Sequence, residues 1–510
     1  MKFNIVERVK AMRRHVSTRV SPYRALLLAL SGGMDSMVLL DILSVLYEDN
    51  NLNNSDRKPI LRAIYVHHAL SRYADEWASH CKKECLRRGI AFTIKHAAVN
   101  ITSNGIEAAA RSVRYQALEK ALSYNEVLLT AHHQNDQAET LLLALKRGSG
   151  PAGLSAMAAD LSYLGHRLVR PLLDFNREEL ELYAKTQHLH WIEDDSNTDL
   201  RFDRNFLRLC ILPPLCQRWP KFIKTVARSA QLCAEQEQLI DKLLEETLAS
   251  IIAPDGSLRL TTLKTMNENK RSALLRRWLA NLGVKMPKRV QLIHLWKEVA
   301  LSRRDAIAQF NLDNRLIMRF RDCLYVVSRL PSFKDKQIYF PWPKESEYLA
   351  LPSGLGKLYR RQFDLSSLLP EKSCISVIKG ELQKNNTSFF SSIDHVININ
   401  IEINNNHYNI INCNNSTAFK LTVVRAPSSD EQVSVRFCPV HGLLYIVGRS
   451  RGRKLKKIWQ ELNIPPWRRK YTPLLFYNDK LIAALGVFVT LEGKVRENYT
   501  QWHLFLTSEQ

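Results

Sequence analysis

The sequence predicts an α/β fold. A doubly wound parallel sheet should occupy residues 1–215, with a helical domain over 216–330 and a small α+β domain over 345–510. Three observations carry this expectation. Short apolar runs at 24–30, 61–66, 90–95, 127–130 and 167–170 are separated by stretches of helical period. The first run breaks off at Ser31-Gly32-Gly33-Met34-Asp35-Ser36, and a helical pattern through Met37, Val38, Leu39, Leu40, Ile42 and Leu43 follows at once. Beyond residue 216 the spacing turns helical, and a chain of 510 residues has room for two to four domains with cores of their own.

A buried strand, a glycine turn and a helix N-terminus together make an anion site. The glycines let backbone N–H groups approach a phosphate closely, and the helix dipole favours negative charge there. Ser31 and Ser36 add hydroxyl donors. Asp35 alone would repel a phosphate, so its presence implies Mg²⁺ between carboxylate and phosphates. No Gly-Lys-Ser/Thr follows, which excludes a Walker A loop. A plain Gly-Gly turn with a serine cap is the bland alternative.

Parallel sheets bind ligands at the carboxyl ends of their strands, and the polar clusters fall there. The second strand ends in His67-His68, where a nucleotide base would lie, although histidines in such places often serve the core. Asn104 can cap a helix that carries Arg111 and Arg114 on one face. The fourth strand runs into His132-His133-Gln134-Asn135-Asp136-Gln137-Ala138-Glu139-Thr140. Asp136 and Glu139 lie one helical turn apart and could hold Mg²⁺ or act as a base; ordinary N-terminal helix charge is the alternative. Arg147 enters a basic, glycine-rich loop that suits a substrate backbone or a moving lid. Glu193-Asp194-Asp195 leads towards Arg204 and Arg208, four residues apart. That pair could place cations near a transferring phosphate, or close an internal ion-pair network.

The segment 216–330 has Ile240, Leu244 and Leu248 on one helical face and many basic residues, among them Arg276, Arg277, Lys288 and Arg289. A proline-punctuated linker follows. Residues 364–417 are rich in Asn, Ile and Ser; they alternate locally, so a strand is possible, but they read rather as an expanded loop without chemistry, interrupting the last domain. Beyond them the pattern alternates like strands. Then Arg453, Lys454, Lys456 and Lys457 crowd the start of an amphipathic helix whose Leu455, Ile458, Trp459 and Leu462 share a face. The helix dipole disfavours cations at that end, so a phosphate backbone is the compensating partner. Pro465-Pro466 should stop the helix, and Arg468 follows.

A formal charge of +23 implies a polyanionic partner, nucleic acid before an anionic membrane, since no basic amphipathic anchor stands out. No apolar run is long enough to span a bilayer. Nine cysteines without a CxxC pair argue against a zinc knuckle, and Cys81 and Cys85 suit one helix face. Without a secretion signal, a cytoplasmic protein is expected.

Together these stretches resemble the tRNA(Ile)-lysidine synthetase family of the PP-loop ATPases. The loop Ser31–Ser36 marks only the superfamily. The run Lys454-Leu455-Lys456-Lys457-Ile458-Trp459-Gln460-Glu461, with Pro465-Pro466-Trp467 after it, is far more specific. The resemblance implies a PP-loop domain of the adenine nucleotide alpha hydrolase type and an enzyme using ATP and Mg²⁺. ATP would adenylate the C2 carbonyl oxygen of the cytidine at the first anticodon position of tRNA(Ile) with a CAU anticodon. The ε-amine of L-lysine would then attack C2 and expel AMP, leaving lysidine, so that reading changes from AUG to AUA. It implies that Ser31, Gly32, Gly33, Met34, Asp35, Ser36, His67 and Arg111 hold ATP, and that Asp35 and Asp136 stand at Mg²⁺. Glu139 would serve lysine handling or adenylation, and Arg204 and Arg208 would stabilise the adenylate. Arg147, Arg453, Lys454, Lys456, Lys457 and Arg468 would contact tRNA. No membrane and no obligatory protein partner are implied.

One position departs from the family pattern. Two aspartates often precede the Gln of a His-x-x-Asp-Asp-Gln motif, and here Asn135 precedes Asp136. Position 135 lies one residue off the Asp136–Glu139 face and should tolerate the change. The rivals are weaker. Several tRNA thiolases use CxxC cysteines, and glutamine-dependent ligases bring an amidotransferase domain. A non-enzymatic RNA-binding protein would have no need of the intact loop with Asp136 and Glu139.

Overall fold

The computed structural model describes residues 2–48, 60–68, 71–97, 106–163, 165–303, 306, 308–329, 339–343, 346–352, 355–363, 399–404, 407–412, 419–495 and 500–507. The chain divides into two compact units, 1–247 and 248–510.

In the first unit β1 (Ala25–Ala29), β2 (Ile60–His67), β3 (Ala91–His96), β4 (Val127–Leu129), β5 (Asp160–Tyr163) and β6 (His166–Val169) form a six-stranded sheet in the order β3-β2-β1-β4-β6-β5. All pairs are parallel except β5 with β6. The apolar run of β1 is continuous because both of its faces are covered. Leu26 and Leu28 pack with α1 (Lys2–Val20), α2 (Met34–Glu48), α3 (Ala74–Arg87) and α7 (Arg177–Thr186) through Val16, Leu39, Cys81 and Leu180. Leu27 packs on the other side with Leu128, Leu168 and Leu118, the last from α4 (Ile106–Ala121). This is the doubly wound sheet that the sequence predicts. Strand order reverses between β1 and β4, so the loop after β1 opens at the topological switch point. Strand β5 escapes sequence reading because none of its residues is fully buried. Asn104, expected to cap α4, lies outside the described residues.

The second unit begins with a sheet of β7 (Leu258–Arg259), β8 (Gln309–Leu312), β9 (Arg315–Phe320) and β10 (Cys323–Ser328), ordered β7-β10-β9-β8. The expectation of helices therefore holds only in part of 216–330. Helices such as Glu268–Asn281 are present, but Gln309 to Ser328 is an antiparallel meander. Its two-residue turns place Asp313 (φ 56°) and Arg321 (φ 54°) in the left-handed region, without the glycine that would have signalled a hairpin.

Two further sheets follow. One joins β11 (Tyr339–Pro341) to β17 (Val433–Arg436), β18 (Leu474–Tyr477), β19 (Lys480–Ala484) and β20 (Phe488–Val489). The other runs β12 (Tyr348–Ala350), β13 (Lys357–Phe363), β21 (Gln501–Thr507), β16 (Phe419–Arg425), β15 (His407–Asn412), β14 (Ile399–Asn404). The expanded-loop expectation is corrected for the last two strands. Their alternating Ile and Asn form a hairpin that pairs with β16 and lengthens the sheet. The rest of the Asn-rich insert lies outside the described residues. The prolines at 465 and 466 also act differently from expectation. Helix Leu455–Glu461 has already ended when Asn463 turns to φ 59°, and Pro466 instead opens the short helix Pro466–Arg469.

At the amino end of the first sheet, Glu126 is 3% exposed and accepts from Arg62 Nε (2.6 Å) and from Ser123 N (2.9 Å). It ties the start of β2 to the turn before β4. Glu126→Ala should destabilise the protein by about 2 kcal/mol, because it removes a charged acceptor shared by Arg62 and Ser123 N, while Arg62 keeps Ala121 O and Ser123 Oγ. A shift of the urea midpoint corresponding to less than a third of that would show that the pair contributes little.

Candidate active site

The turn between β1 and α2 is shaped from inside. Gly32 adopts φ +82°, and a Cβ there would lie 3.1 Å from Cys81 Sγ and 3.4 Å from Ile192 Cδ1. Its carbonyl accepts from Ile192 N (3.0 Å), so the stretch around Trp191 braces the loop. Ser36 Oγ donates to Gly33 O (2.9 Å) and lies 3.1 Å from Ser31 Oγ. Met34 is buried, which leaves only its backbone to face a ligand. The first-turn N–H groups of α2 have no helical acceptor and are available to an anion.

Strand β4 leads through Thr130 and His132 to α5 (Gln134–Lys146). His133 caps this helix: its Nδ1 accepts from Asn135 N (3.2 Å), while Asp136 Oδ2 accepts from His133 N (3.0 Å). With Nδ1 accepting, Nε2 carries the proton of the neutral ring. That nitrogen faces Asp35 Oδ2 at 3.5 Å and Asp136 Oδ2 at 3.6 Å. Burial opposes charge on His133, but Asp136, Asp35 and Glu139 outweigh it and raise its pKa. Burial also pushes Asp136 upward, yet His133, His132 and Arg208 hold it below the ordinary carboxylate value.

Arg208 completes the cluster. Its Nε donates to Glu139 Oε1 (2.8 Å) and its Nη2 to Glu139 Oε2 (3.1 Å), with Asp136 Oδ1 at 3.4 Å. Glu139 is fully buried, and burial raises its pKa against the pull of Arg208. Arg208 sits in a π-helical turn, Leu207–Ile211, between α8 (Asp203–Phe206) and α9 (Leu212–Arg218). Such turns shift side-chain register and recur at functional sites. Arg204 Nη2 donates to Thr140 Oγ1 (2.9 Å), one residue from Glu139. Asp35, Asp136, Glu139, Arg204 and Arg208, separated widely in sequence, are thus gathered at the carboxyl ends of β1 and β4.

The other expected site residues are placed more loosely. His67 ends β2, buried, with Nε2 3.2 Å from Asp75 Oδ1 and its ring 4.8 Å from that of His96. Arg111 lies over the Tyr115 ring at 5.1 Å. Arg147 is exposed at the end of α5, beside Lys146, whose Nζ meets Asp203 Oδ2 at 2.7 Å. In the second unit Arg453, Lys454, Lys456, Lys457 and Arg468 are all exposed, while Leu455, Ile458 and Trp459, on the helix of Lys456 and Lys457, are buried.

Two residues escape sequence reading. His133 stands between the two acids, and its only signal is its place just after a buried strand. Gln137 clamps Met157 with a donated bond to its carbonyl (2.7 Å) and an accepted bond from its N–H (2.8 Å), fixing the exit of the glycine-rich loop. Asn135 Oδ1 accepts from Arg177 N (3.0 Å) at the start of α7. An aspartate could accept the same bond, which gives the departure from the family pattern a local reason.

Asp35 Oδ1 is buried with no hydrogen-bond partner among the described residues. No group of three or more His, Cys, Asp or Glu side chains that could hold a metal occurs among those residues. An oxygen left open on one carboxylate fits Mg²⁺, which takes most of its ligands from water and phosphate.

Known proteins show the same organisation. Residues 3–215 match the family model of the PP-loop domain, 258–325 that of the TilS substrate binding domain and 433–506 that of the TilS substrate C-terminal domain. The chain is 47% identical over 490 residues to a tRNA(Ile)-lysidine synthase of Pectobacterium atrosepticum, covering 96% of each chain. It is 46% identical over 499 residues to the tRNA(Ile)-lysidine synthase of Blochmanniella pennsylvanica, covering 96% of this chain and 93% of that one. Among solved structures, the U34-tRNA thiolase NcsA from Methanococcus maripaludis is similar at 18% identity and a TM-score of 0.37, covering 45% of this chain and 79% of that one.

The His133 environment predicts a pH signature. Its folded-state pKa is raised above 6.5, so the stability it adds is complete below the unfolded value and is lost as pH rises through the folded one. Asp35→Asn should lower the titration midpoint of the His133 ring, followed by NMR of its C–H protons. An unchanged midpoint would show that Asp35 does not act on the ring.

Proposed function

The chain belongs to the tRNA(Ile)-lysidine synthase family, and from that premise we propose how its own residues carry out the reaction. It forms lysidine in tRNA(Ile) using ATP. The substrate base is the cytidine at the first anticodon position of a CAU anticodon, and the nucleophile is L-lysine. The observation that supports this reading best is the Asp35–His133–Asp136–Arg208–Glu139 cluster beside the open N-terminus of α2.

The loop Ser31, Gly32, Gly33, Met34, Asp35, Ser36 binds the ATP phosphates, mainly through backbone N–H groups, and His67 and Arg111 flank the nucleotide. The C2 oxygen of the cytidine attacks the α-phosphorus and pyrophosphate leaves. The lysine amine then forms a bond to C2, and the C–O bond breaks to release AMP. Arg204 and Arg208 stabilise the charge that develops on phosphate and adenylate. Glu139 acts through Arg208, because both its oxygens are committed there. Asp136, whose Oδ1 has only the long 3.4 Å contact with Arg208, is then the carboxylate that can meet the lysine ammonium and accept its proton. Asp35, whose Oδ1 is left without a partner among the described residues, would hold Mg²⁺ with Asp136 close by, and the ion would supply positive charge against the pyrophosphate.

Arg147 and the exposed cations Arg453, Lys454, Lys456, Lys457 and Arg468 contact tRNA. No helix among the described residues is long and apolar enough to cross a membrane. A reaction on tRNA is consistent with work in the cytoplasm.

The decisive experiment follows labelled lysine into unmodified tRNA(Ile) with a CAU anticodon, in the presence of ATP and Mg²⁺. Wild type should incorporate it. Asp35→Ala should abolish incorporation, and Arg208→Ala should lower kcat by about 10²- to 10³-fold. Release of AMP without transfer would mean that lysine is the wrong nucleophile. Neither AMP nor transfer from folded protein would overturn the enzyme assignment.

The basic helix start makes a separate prediction. Lys456→Ala with Lys457→Ala should weaken tRNA binding and reduce the salt slope of log K by about 0.7 for each phosphate left unneutralised, while kcat at saturating tRNA stays unchanged. An unaltered slope, read by filter binding across a salt series, would remove these lysines from the interface.

A further inference from the structure

The half-buried arginines Arg62, Arg88 and Arg208 of the first unit have carboxylate partners. Arg88 meets Asp41 and Glu84, Arg62 meets Glu126, and Arg208 meets Glu139 and Asp136. Arg170 breaks this pattern. It is 7% exposed, it follows directly on β6, and no carboxylate lies within ion-pair distance among the described residues. Its Nη1 donates to the carbonyl of Ala158, Tyr115 stands near enough to favour the cation, and Nε is buried with no partner among the described residues.

Its surroundings add positive charge instead of cancelling it. Arg111 is close enough to disfavour the Arg170 cation, after burial itself, and both arginines disfavour charge on His132. His132 is pushed down to about 3, chiefly by burial, with Arg170, Arg111 and Arg204 contributing and Asp136 opposing. A carbonyl such as that of Ala158 could be held by a neutral donor. A desolvated guanidinium facing other cations is a structure that wants an anion.

The position indicates which anion. Val169 pairs with Leu129, and Thr130 N donates to Val169 O (3.1 Å), so Arg170 stands level with the carboxyl end of β4. Strand β4 separates β6 from β1, which places Arg170 about 10 Å across the sheet from the phosphate loop at two strand spacings. The pyrophosphate end of ATP is already served by the loop. Arg170 is offset from that loop, on the β6 side of β4.

We propose that Arg170 is a phosphate-binding residue of the active site, taking either the α-phosphate of the nucleotide or the tRNA phosphate next to the reacting cytidine. This rests on the adenylating reading above. Planar, bidentate recognition of phosphate is what a guanidinium does and an ammonium does poorly. Arg111 shares the anion, and the Tyr115 contacts orient both side chains.

The test uses full-length Arg170→Gln and Arg170→Lys beside wild type. Four quantities are measured: ATP affinity without tRNA, tRNA affinity across a salt series, lysine incorporation, and thermal unfolding. Arg170→Gln should lower kcat/KM for incorporation at least tenfold, with Arg170→Lys restoring part of it. If the partner is the α-phosphate, ATP affinity falls at least tenfold and tRNA affinity holds. If it is a tRNA phosphate, ATP affinity holds and the salt slope for tRNA falls by about 0.7. Both affinities unchanged in either folded variant would overturn the proposal and leave Arg170 as a clamp on Ala158. Should Arg170→Gln not fold, Arg170→Lys decides alone, since it keeps the charge and loses the fork. A wild type that makes no AMP would sink the adenylation reading, while the binding measurements would still decide whether Arg170 meets a phosphate.

Discussion

Two carboxylates that would repel one another are held facing a single histidine. Asp35 comes from the first turn of α2 and Asp136 from the first turn of α5, and His133 Nε2 lies between them at 3.5 and 3.6 Å. Much else about the site follows from this constraint. Arg208 must neutralise the far side of Asp136, and Glu139 must fix Arg208. Both acids also sit in the first turns of their helices, where the dipole favours negative charge. The arrangement keeps negative charge fixed beside an anion loop, which is useful only where cations, metal or ammonium, are to be gathered against phosphate.

The fold supports this by placing every member on rigid structure. β1 and β4 are adjacent and parallel, so the two helix starts emerge side by side. Arg204 and Arg208 arrive from the other end of the unit, on helical turns held to α5 by Lys146 with Asp203 and by the arginines themselves. Gln137 does the complementary job on the opposite flank, pinning the loop after α6 (Pro151–Leu154) by both backbone groups of Met157. The Gln in the motif His132–Thr140 is therefore a scaffold residue, and the neighbouring Asn135 is another, through its bond to α7.

How much of this is legible depends on what each residue's role leaves in the sequence. β1 and the loop after it are readable because a strand buried on both faces must be continuously apolar, and a glycine turn interrupts it sharply. Asp136 and Glu139 are readable from their spacing. Arg204 and Arg208 are readable as a pair, although the π turn that aims Arg208 leaves no pattern. The meander at 309–328 is hidden because its turns use Asp313 and Arg321, and a strained φ at such residues cannot be foreseen from composition. The hairpin at 399–412 is hidden by low complexity, where alternation counts as weak testimony. His133 is hidden because a capping histidine and a core histidine look alike until the second acid, almost a hundred residues earlier, is brought beside it.

The charge of +23 also resolves into different kinds of cation. Arg62 and Arg88 are paired with buried carboxylates and hold structure, while Arg208 is paired in the same way at the site itself. Arg453, Lys454, Lys456, Lys457 and Arg468 are exposed on a face whose other side is anchored by Leu455, Ile458 and Trp459. Exposed cations of this kind cost the fold little and give affinity that salt can screen. Arg170 belongs to neither group, being more deeply buried than the first and, unlike it, without a carboxylate partner among the described residues. Long-range attraction of a polyanion needs only the exposed set. A desolvated cation at the carboxyl end of the central strands acts at short range, where orientation of the reacting phosphate matters more than capture.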